Sequence, residues 1–341
     1  MKEERSLSLL QLMVNEGLVP SLEEEENRKT VIEKLKQIVV AWVKRVAWQR
    51  RLPKQDIAVT SATLLTYGSY GLGVHGSESD IDALCVGPYF ATMLKVLVVP
   101  ENLDILNPVF LRDIDETGWK SLSRVLANTQ ICRLVPDLKS MLRCVKFWAK
   151  RRGVYGNLNG FLGGIHLAIL AAFVCQCDPF VGLSALISHF FKKFAFWPWP
   201  RPVELQDETL HPTLNPTETR LYMPIRLPFS SYEYCHSNIT KSTFYKIRTE
   251  FLRGHNLTKD LLKFDFDWHN VLEPFPYTKK YAWFLKIFLS ASKQDELGDW
   301  VGWIKSRFCC LLFKLEEVQG LCDPNPAEYI DVNIADPHVI F

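Results

Sequence analysis

Leu65-Thr-Tyr-Gly-Ser-Tyr-Gly-Leu-Gly-Val-His-Gly-Ser-Glu-Ser-Asp-Ile-Asp-Ala-Leu-Cys-Val86 is the stretch that decides how this chain folds. It holds Gly68-Ser69 and, after ten residues, Asp80-Ile-Asp82 at the head of an apolar run. Glycine at 68 lets the backbone turn tightly and approach a ligand closely. A helix opening there would aim free N–H groups at phosphate oxygens, and Ser69 adds a hydroxyl donor. On a strand, residues i and i+2 share a face, so Asp80 and Asp82 are expected to point the same way. Adjacent carboxylates repel unless a cation sits with them, and Mg²⁺ takes such oxygen ligands. An isolated Asp-x-Asp is ordinarily a solvated turn, and a glycine-rich loop alone is an equally weak sign. The pair, the gap and the two carboxylates together are far more specific.

Around this stretch lie 341 residues, more than one hydrophobic core usually serves, so two or three domains are expected. With 48% hydrophobic and 23% charged residues, the composition is globular and excludes long disorder or collagen-like repeats. A net charge of +2 gives no global sign of nucleic-acid binding, and any basic groove must be local. Nine cysteines show no disulfide framework. Cys175 and Cys177 are close and Cys309 and Cys310 adjacent, but neither pair has a second at zinc-ligand spacing, so reduced thiols are expected. The N-terminus has no apolar stretch of signal-peptide length. Phe161–Val174, broken by Gly163, Gly164 and His166, is too short to span a bilayer and reads as a buried core helix; no membrane partner is expected. The sequons at Asn238 and Asn256 read as chance matches.

Ser21 with Glu24 has the form of a capping box. Val31, Ile32, Leu35, Ile38, Val39, Trp42, Val43 and Val46 then follow at helical spacing. Residues 57–99 read as β-rich. Leu138, Met141, Leu142, Val145, Trp148 and Ala149 mark a second amphipathic helix, whose polar face carries Arg143, Lys146 and Lys150. Thr240–Leu252 and Glu296–Glu317 read as helices, and Tyr281–Phe288 as a strand.

The stretch around Gly68 and Asp80 resembles the nucleotidyltransferase signature of eukaryotic, especially plant, nuclear poly(A) polymerases. Leu142-Arg-Cys-Val-Lys-Phe-Trp-Ala-Lys-Arg-Arg-Gly-Val-Tyr155 and Asn159-Gly-Phe-Leu-Gly-Gly-Ile165 resemble the family's central-domain motifs, and Ser230-Ser-Tyr232 and Phe275-Pro-Tyr277 follow in the family's order. The resemblance implies an α/β (α+β) fold with three regions. These are a catalytic palm with a mixed sheet (1–130), a helical central domain (131–272) and a truncated RRM-like RNA-binding domain (273–341). It implies transfer of AMP from ATP to the 3′-hydroxyl of RNA, with Mg²⁺ or Mn²⁺, in the nucleus, in company with cleavage and polyadenylation factors. Residue by residue, it implies that Asp80 and Asp82 ligate metal and that Tyr67, Gly68 and Ser69 contact the ATP phosphates. Lys146 would reach those phosphates too, while Tyr155, Gly164 and Ile165 line the nucleotide pocket. Read alone, Lys146 would be a solvated helix lysine and Gly164 a site of close helix packing.

Three departures from the family stand out. Gly71 occupies a position where relatives usually carry Arg, which implies a missing phosphate-side cation. The family's stretch with its third catalytic Asp has no counterpart, because Gly87-Pro88 runs almost directly into Met93–Val98 and then Val99-Pro-Glu-Asn-Leu-Asp104. Neither Asp104 nor Asp113 or Asp115 substitutes for it. Finally, the RNA-binding domain stops early at Phe341, and no basic nuclear localisation tail is present. The sequence therefore also admits a catalytically inactive ATP- or RNA-binding paralogue, or a splice or gene-model product.

Overall fold

The computed structural model describes residues 2–77, 79–88, 90, 116–205, 221–228, 233–331 and 337–341. The sequence expectations at 93–104, 113, 115 and 230–232 lie outside the described residues. The chain divides into two compact units, Gln11–Lys139, and Met1–Leu10 together with Ser140–Phe341. Helix α1, Lys2–Asn15, runs across that division.

The first unit contains α2 (Leu22–Gln49), α3 (Lys54–Val59), β1 (Thr63–Tyr67), the single turn α4 (Gly68–Gly71), β2 (Asp82–Val86) and α5 (Glu116–Leu134). The capping box of α2 is present: Glu24 N donates to Ser21 Oγ (3.2 Å) and Ser21 N to Glu24 Oε2 (2.7 Å). The apolar stripe of α2 is less buried than its spacing predicts, for Val31, Leu35, Ile38 and Trp42 are exposed. The described residues bury the helix only towards its C-terminus, at Val43 and Ala47. β1 and β2 pair antiparallel from Thr63↔Val86 to Tyr67↔Asp82, and α5 packs on β1 and α4. Leu122, Val125, Leu126 and Ile131 of α5 are buried with Leu72, Val74 and Val86. The mixed sheet expected for the palm is, among the described residues, this antiparallel pair alone. Ile57–Val59 belongs to α3 rather than to a strand.

In the second unit, α6 (Lys139–Arg151), α7 (Gly164–Cys177), α8 (Leu183–Ala195) and α9 (Lys241–Thr258) surround an aromatic core. Helix α6 buries Met141, Leu142, Val145, Trp148 and Ala149, the face its spacing predicts. α7 is apolar all round and buried almost throughout, as a helix without a polar face must be. Trp148 stacks on Phe251 (5.5 Å between centroids), with Phe190, Phe191 and Phe194 edge-on or tilted around them. Gly254 lies under the Phe191 ring, where a Cβ would come within 2.6 Å of Cε1, so α8 and α9 approach closely only because 254 is glycine. Truncating any of these buried rings to Ala costs about 3–5 kcal/mol.

The same unit continues through α10 (Trp268–Leu272), α11 (Tyr277–Lys280), β3 (Phe288–Ser290), α12 (Gln294–Gln319) and β4 (His338–Ile340). Arg152 and Glu250, both buried, form a two-point ion pair (2.7 and 3.1 Å), and Arg152 Nη1 also donates to the carbonyls of Glu273 and Pro274. The strand expected over Tyr281–Phe288 is displaced. Pairing starts at Ile287 with Phe341, and β3 covers Phe288–Ser290. A strand forms only where a partner offers backbone hydrogen bonds, and β4 spans just His338–Ile340.

Candidate nucleotide and metal site

The candidate residues fall on both units. In the first, Tyr67 ends β1 and pairs with Asp82, the first residue of β2. Gly68 follows with φ +65°. This is left-handed backbone that glycine adopts at no steric cost. A Cβ at Gly68 would fall on Asp82 Oδ2 and within 3.0 Å of its Cγ, so the Asp82 carboxylate lies directly against the Gly68 backbone. The carbonyl of Gly68 accepts from Asn128 Nδ2 of α5 (3.0 Å), which fixes the turn from behind.

Asp80 and Asp82 do not share a strand face, as the sequence leads one to expect. β1 ends at Tyr67 because the chain turns at Gly68, so the ladder reaches Asp82 and goes no further; Asp80 lies in the preceding loop. That loop is held by a residue the motif does not contain. Arg28 of α2 donates Nη1 to Ser79 O (2.7 Å) and Nη2 to Ser77 O (2.8 Å) and Gly76 O (3.2 Å). The loop also closes on itself, with Gly76 N donating to Ser79 Oγ (2.9 Å) and Ser79 N to Gly76 O (3.1 Å). The Ser21 backbone N–H holds the Glu24 carboxyl below the usual carboxylate range, and the Ser77 hydroxyl adds to it. His75 Nε2 sits 2.9 Å from Glu25 Oε1. Burial, then Glu25, pushes the Tyr70 phenol up. No local sequence signal reveals Arg28, which lies roughly fifty residues upstream; only the fold brings it to the loop.

Among the described residues no Lys or Arg ion-pairs with Asp80 or Asp82, and no three His, Cys, Asp or Glu side chains come together to hold a metal ion. Two hard anionic oxygen donors without a cation fit a divalent metal of the Mg²⁺ class. The helix after Tyr67 is a single turn closed by Leu72 N to Gly68 O (3.2 Å). At Gly71, where relatives usually carry Arg, the backbone is crowded. A Cβ there would meet Thr66 O at 2.9 Å and Asn128 Nδ2 at 3.1 Å, so no side chain fits without a shift.

The other candidates lie in the second unit. Lys146 is half-buried on the polar face of α6. Tyr155 follows α6 and bridges to Leu162. Gly156 N donates to Leu162 O (3.0 Å) and Phe161 N to Gly156 O (3.0 Å), folding residues 155–162 back towards the start of α7. Gly164 and Ile165 are the first residues of α7, after the Gly163 N-cap, whose N–H donates to His166 Nδ1 (3.0 Å). A Cβ at Gly164 would lie 3.6 Å from the Tyr155 hydroxyl, an ordinary contact, and the residue is exposed. Close helix packing therefore does not explain this glycine. The fold gathers Tyr155, Gly164 and Ile165 at one end of α7.

A two-stranded ladder that presents a carboxylate against a Gly-Ser turn, in an α/β unit followed by a helical one, defines the nucleotidyltransferase class. The solved structures that resemble the chain belong to that class. A cytoplasmic RNA terminal U-transferase matches with a TM-score of 0.56 at 16% identity, covering 81% of this chain and 98% of the other. The poly(U) polymerase Cid1, solved with its short product ApU, matches with a TM-score of 0.56 at 15% identity, covering 80% and 99%. At such identities the likeness shows the fold alone.

Sequence comparison is more specific. The poly(A) polymerase nucleotidyltransferase domain matches residues 2–93 and the poly(A) polymerase central domain residues 137–274. Nuclear poly(A) polymerase 3 of Arabidopsis thaliana is 54% identical, covering 99% of this chain and 76% of its own length. Nuclear poly(A) polymerase 2 of the same plant is 32% identical over 99% of this chain and 50% of its own, and the poly(A) polymerase of Dictyostelium discoideum is 32% identical over 91% and 45%. The chain belongs to the nuclear poly(A) polymerase family. It spans about three quarters of the length of the first of these relatives and about half of the others. The alignment with the first runs over 389 residues, more than the 341 of this chain, so that relative carries residues with no counterpart here. Membership of this family implies template-independent polynucleotide adenylyltransferase activity, with a divalent metal and a nucleotide substrate. Among the described residues no helix is long and apolar enough to cross a membrane.

Proposed function

We propose that this chain binds ATP with a divalent metal and transfers AMP to the 3′-hydroxyl of RNA. The observation that carries the reading is the Asp82 carboxylate held against the Gly68-Ser69 turn by strand pairing. Asp80 and Asp82 would hold the metal, Mg²⁺ or Mn²⁺, and Tyr67, Gly68 and Ser69 would contact the ATP phosphates. When bound, the metal supplies charge neutralisation for the triphosphate and lowers the cost of hydroxyl attack. The chain's own residues do the positioning. The ladder fixes Asp82, the Arg28 clamp orders the loop that delivers Asp80, and Ser69 offers a hydroxyl donor. In the second unit, Lys146 would add a cation to the phosphates, while Tyr155, Gly164 and Ile165 would line the nucleotide's pocket. The domain reading follows the family: a catalytic domain over 1–130, a central domain over 131–272 and a shortened RRM-like domain over 273–341. A nuclear location and contact with cleavage and polyadenylation factors complete the proposal.

Isothermal calorimetry with MgATP tests the site. Asp80→Ala with Asp82→Ala should weaken metal-dependent ATP binding, and an unchanged affinity would overturn the assignment. A second reading, an ATP- and RNA-binding paralogue that does not extend RNA, is favoured by one observation. The aligned relative is longer than this chain within the matched region, 389 aligned positions against 341 residues.

A further inference from the structure

The second unit contains a cavity of about 380 Å³ built from three chain segments: the end of α6 with the loop behind it, Pro274–Tyr277, and Asn325–Tyr329. Its lining carries two cations, Lys150 and Arg151, and no carboxylate. The acidic groups close by are committed to other cations. Asp323 ion-pairs with Lys246 (2.5 Å), Glu250 with Arg152, Glu273 with Arg253 and Glu328 with Lys305. The wall is otherwise aromatic, through Tyr155, Phe275, Tyr277 and Tyr329.

Two of these rings, Tyr329 and Tyr155, have partners in the structure. Tyr329 is half exposed; its backbone pairs both ways with Ile340 (2.9 Å each) and its hydroxyl accepts from Asn325 Nδ2 (2.8 Å). Lys150 Nζ lies 5.7 Å from the centre of the Tyr155 ring, so charge and ring stand side by side. Arg151 is oriented by donating Nε to Leu272 O (3.1 Å) and by lying over Phe147 (5.0 Å).

We propose that this cavity holds one nucleotide of single-stranded RNA, its base stacked on the Tyr329 ring and its phosphodiester against Lys150 and Arg151. Aromatic faces beside cations along a groove are how proteins hold single strands without reading sequence. A free nucleoside triphosphate shares the chemistry of base and phosphate, and Tyr155, assigned above to the nucleotide pocket, lines this cavity too, so the MgATP arm of the test below separates the two ligands. A phosphodiester carries a single charge and needs only the cations present. That the strand is RNA rests on the proposed function above.

The test is fluorescence anisotropy of labelled oligo(A) over a salt series, alongside calorimetry with MgATP, on the full chain. Tyr329→Ala should weaken oligo(A) binding about 10-fold, and Tyr329→Phe, which keeps the ring, should bind as the wild type does. Lys150→Ala should reduce the slope of log affinity against log salt by about 0.7, the share of one phosphate contact on a single strand. MgATP affinity should not change in Tyr329→Ala. Lys150 is an exposed helix-surface residue, so its variant carries the test even if Tyr329→Ala destabilises the fold. Oligo(A) affinity and salt slope unchanged in both variants would overturn the proposal. So would loss of MgATP affinity with oligo(A) binding intact, which marks a mononucleotide site. Failure of the proposed function would show instead at Asp80 and Asp82, which these variants do not touch.

Discussion

Gly68→Ala separates the geometry of the turn from general stability. At φ +65° a Cβ costs about 1–2 kcal/mol in any context. Here it also meets the Asp82 carboxylate, with Cγ within 3.0 Å, so Asp82 must swing off the turn. The two costs divide cleanly in a double-mutant cycle. In an Asp82→Ala background the steric part disappears and only the backbone strain remains, giving a coupling in the range of about 0.5–3 kcal/mol between the two positions. Chemical denaturation of the four proteins measures the coupling. Calorimetry with MgATP should show Gly68→Ala weakened at least about 10-fold and no further loss on adding Asp82→Ala. Additive stability effects with unchanged ATP affinity would refute the contact between the turn and the carboxylate.

Arg28→Ala should release the loop at 76–79, which hangs on three carbonyl bonds. The expected outcomes are a loss of about 1 kcal/mol in a half-exposed setting and faster amide exchange at Gly76 and Ser79. Burial drops His166 to a pKa of about 4, with His236 adding to the effect. The unfolded chain therefore takes up this proton near pH 6.5 and the folded chain only near 4, so stability should fall as pH drops through that window. A His166→Gln variant, followed by thermal melts from pH 7 to about 4, should lose that part of the slope. Lys246 is lowered by burial to about 8 against an ordinary 10.5, Asp323 opposing the shift. The unfolded lysine is then protonated where the folded one is neutral, so Lys246 contributes rising stability from pH 8 towards 10.5. The difference in melting temperature between wild type and Lys246→Met, measured across that range, isolates it.

Much of the helical framework could be read from side-chain spacing. The α2 capping box, the buried face of α6 and the core character of α7 each follow from local chemistry that the chain carries within a few residues. The Asp-x-Asp motif was legible as chemistry, but not its placement. Whether Asp80 belongs to a strand depends on where β1 ends, and that depends on the left-handed turn at Gly68. The displaced strand near Phe288 has the same origin, since β-propensity at Tyr281–Phe288 says nothing of how long its partner is. Gly71 reads as a lost cation in sequence, whereas its crowding against Thr66 and Asn128 emerges only once α5 has packed on the turn. Arg28 shares that difficulty, since the carbonyls it holds lie roughly fifty residues away in the chain.

Extension of an oligo(A) primer with labelled ATP puts the proposed activity to the test, using the wild type, the Asp80→Ala/Asp82→Ala variant and a chain given, at their aligned positions, the residues of the 54% identical relative that have no counterpart here. The expected outcomes are slow AMP incorporation by the wild type, loss of it in the double variant, and a rise of about 10²–10⁴ on grafting, the share of one metal-holding carboxylate in stabilising the transition state. Incorporation that survives loss of both aspartates would contradict their role as metal ligands, and a wild-type rate already equal to that of the grafted chain would contradict the need for a third carboxylate.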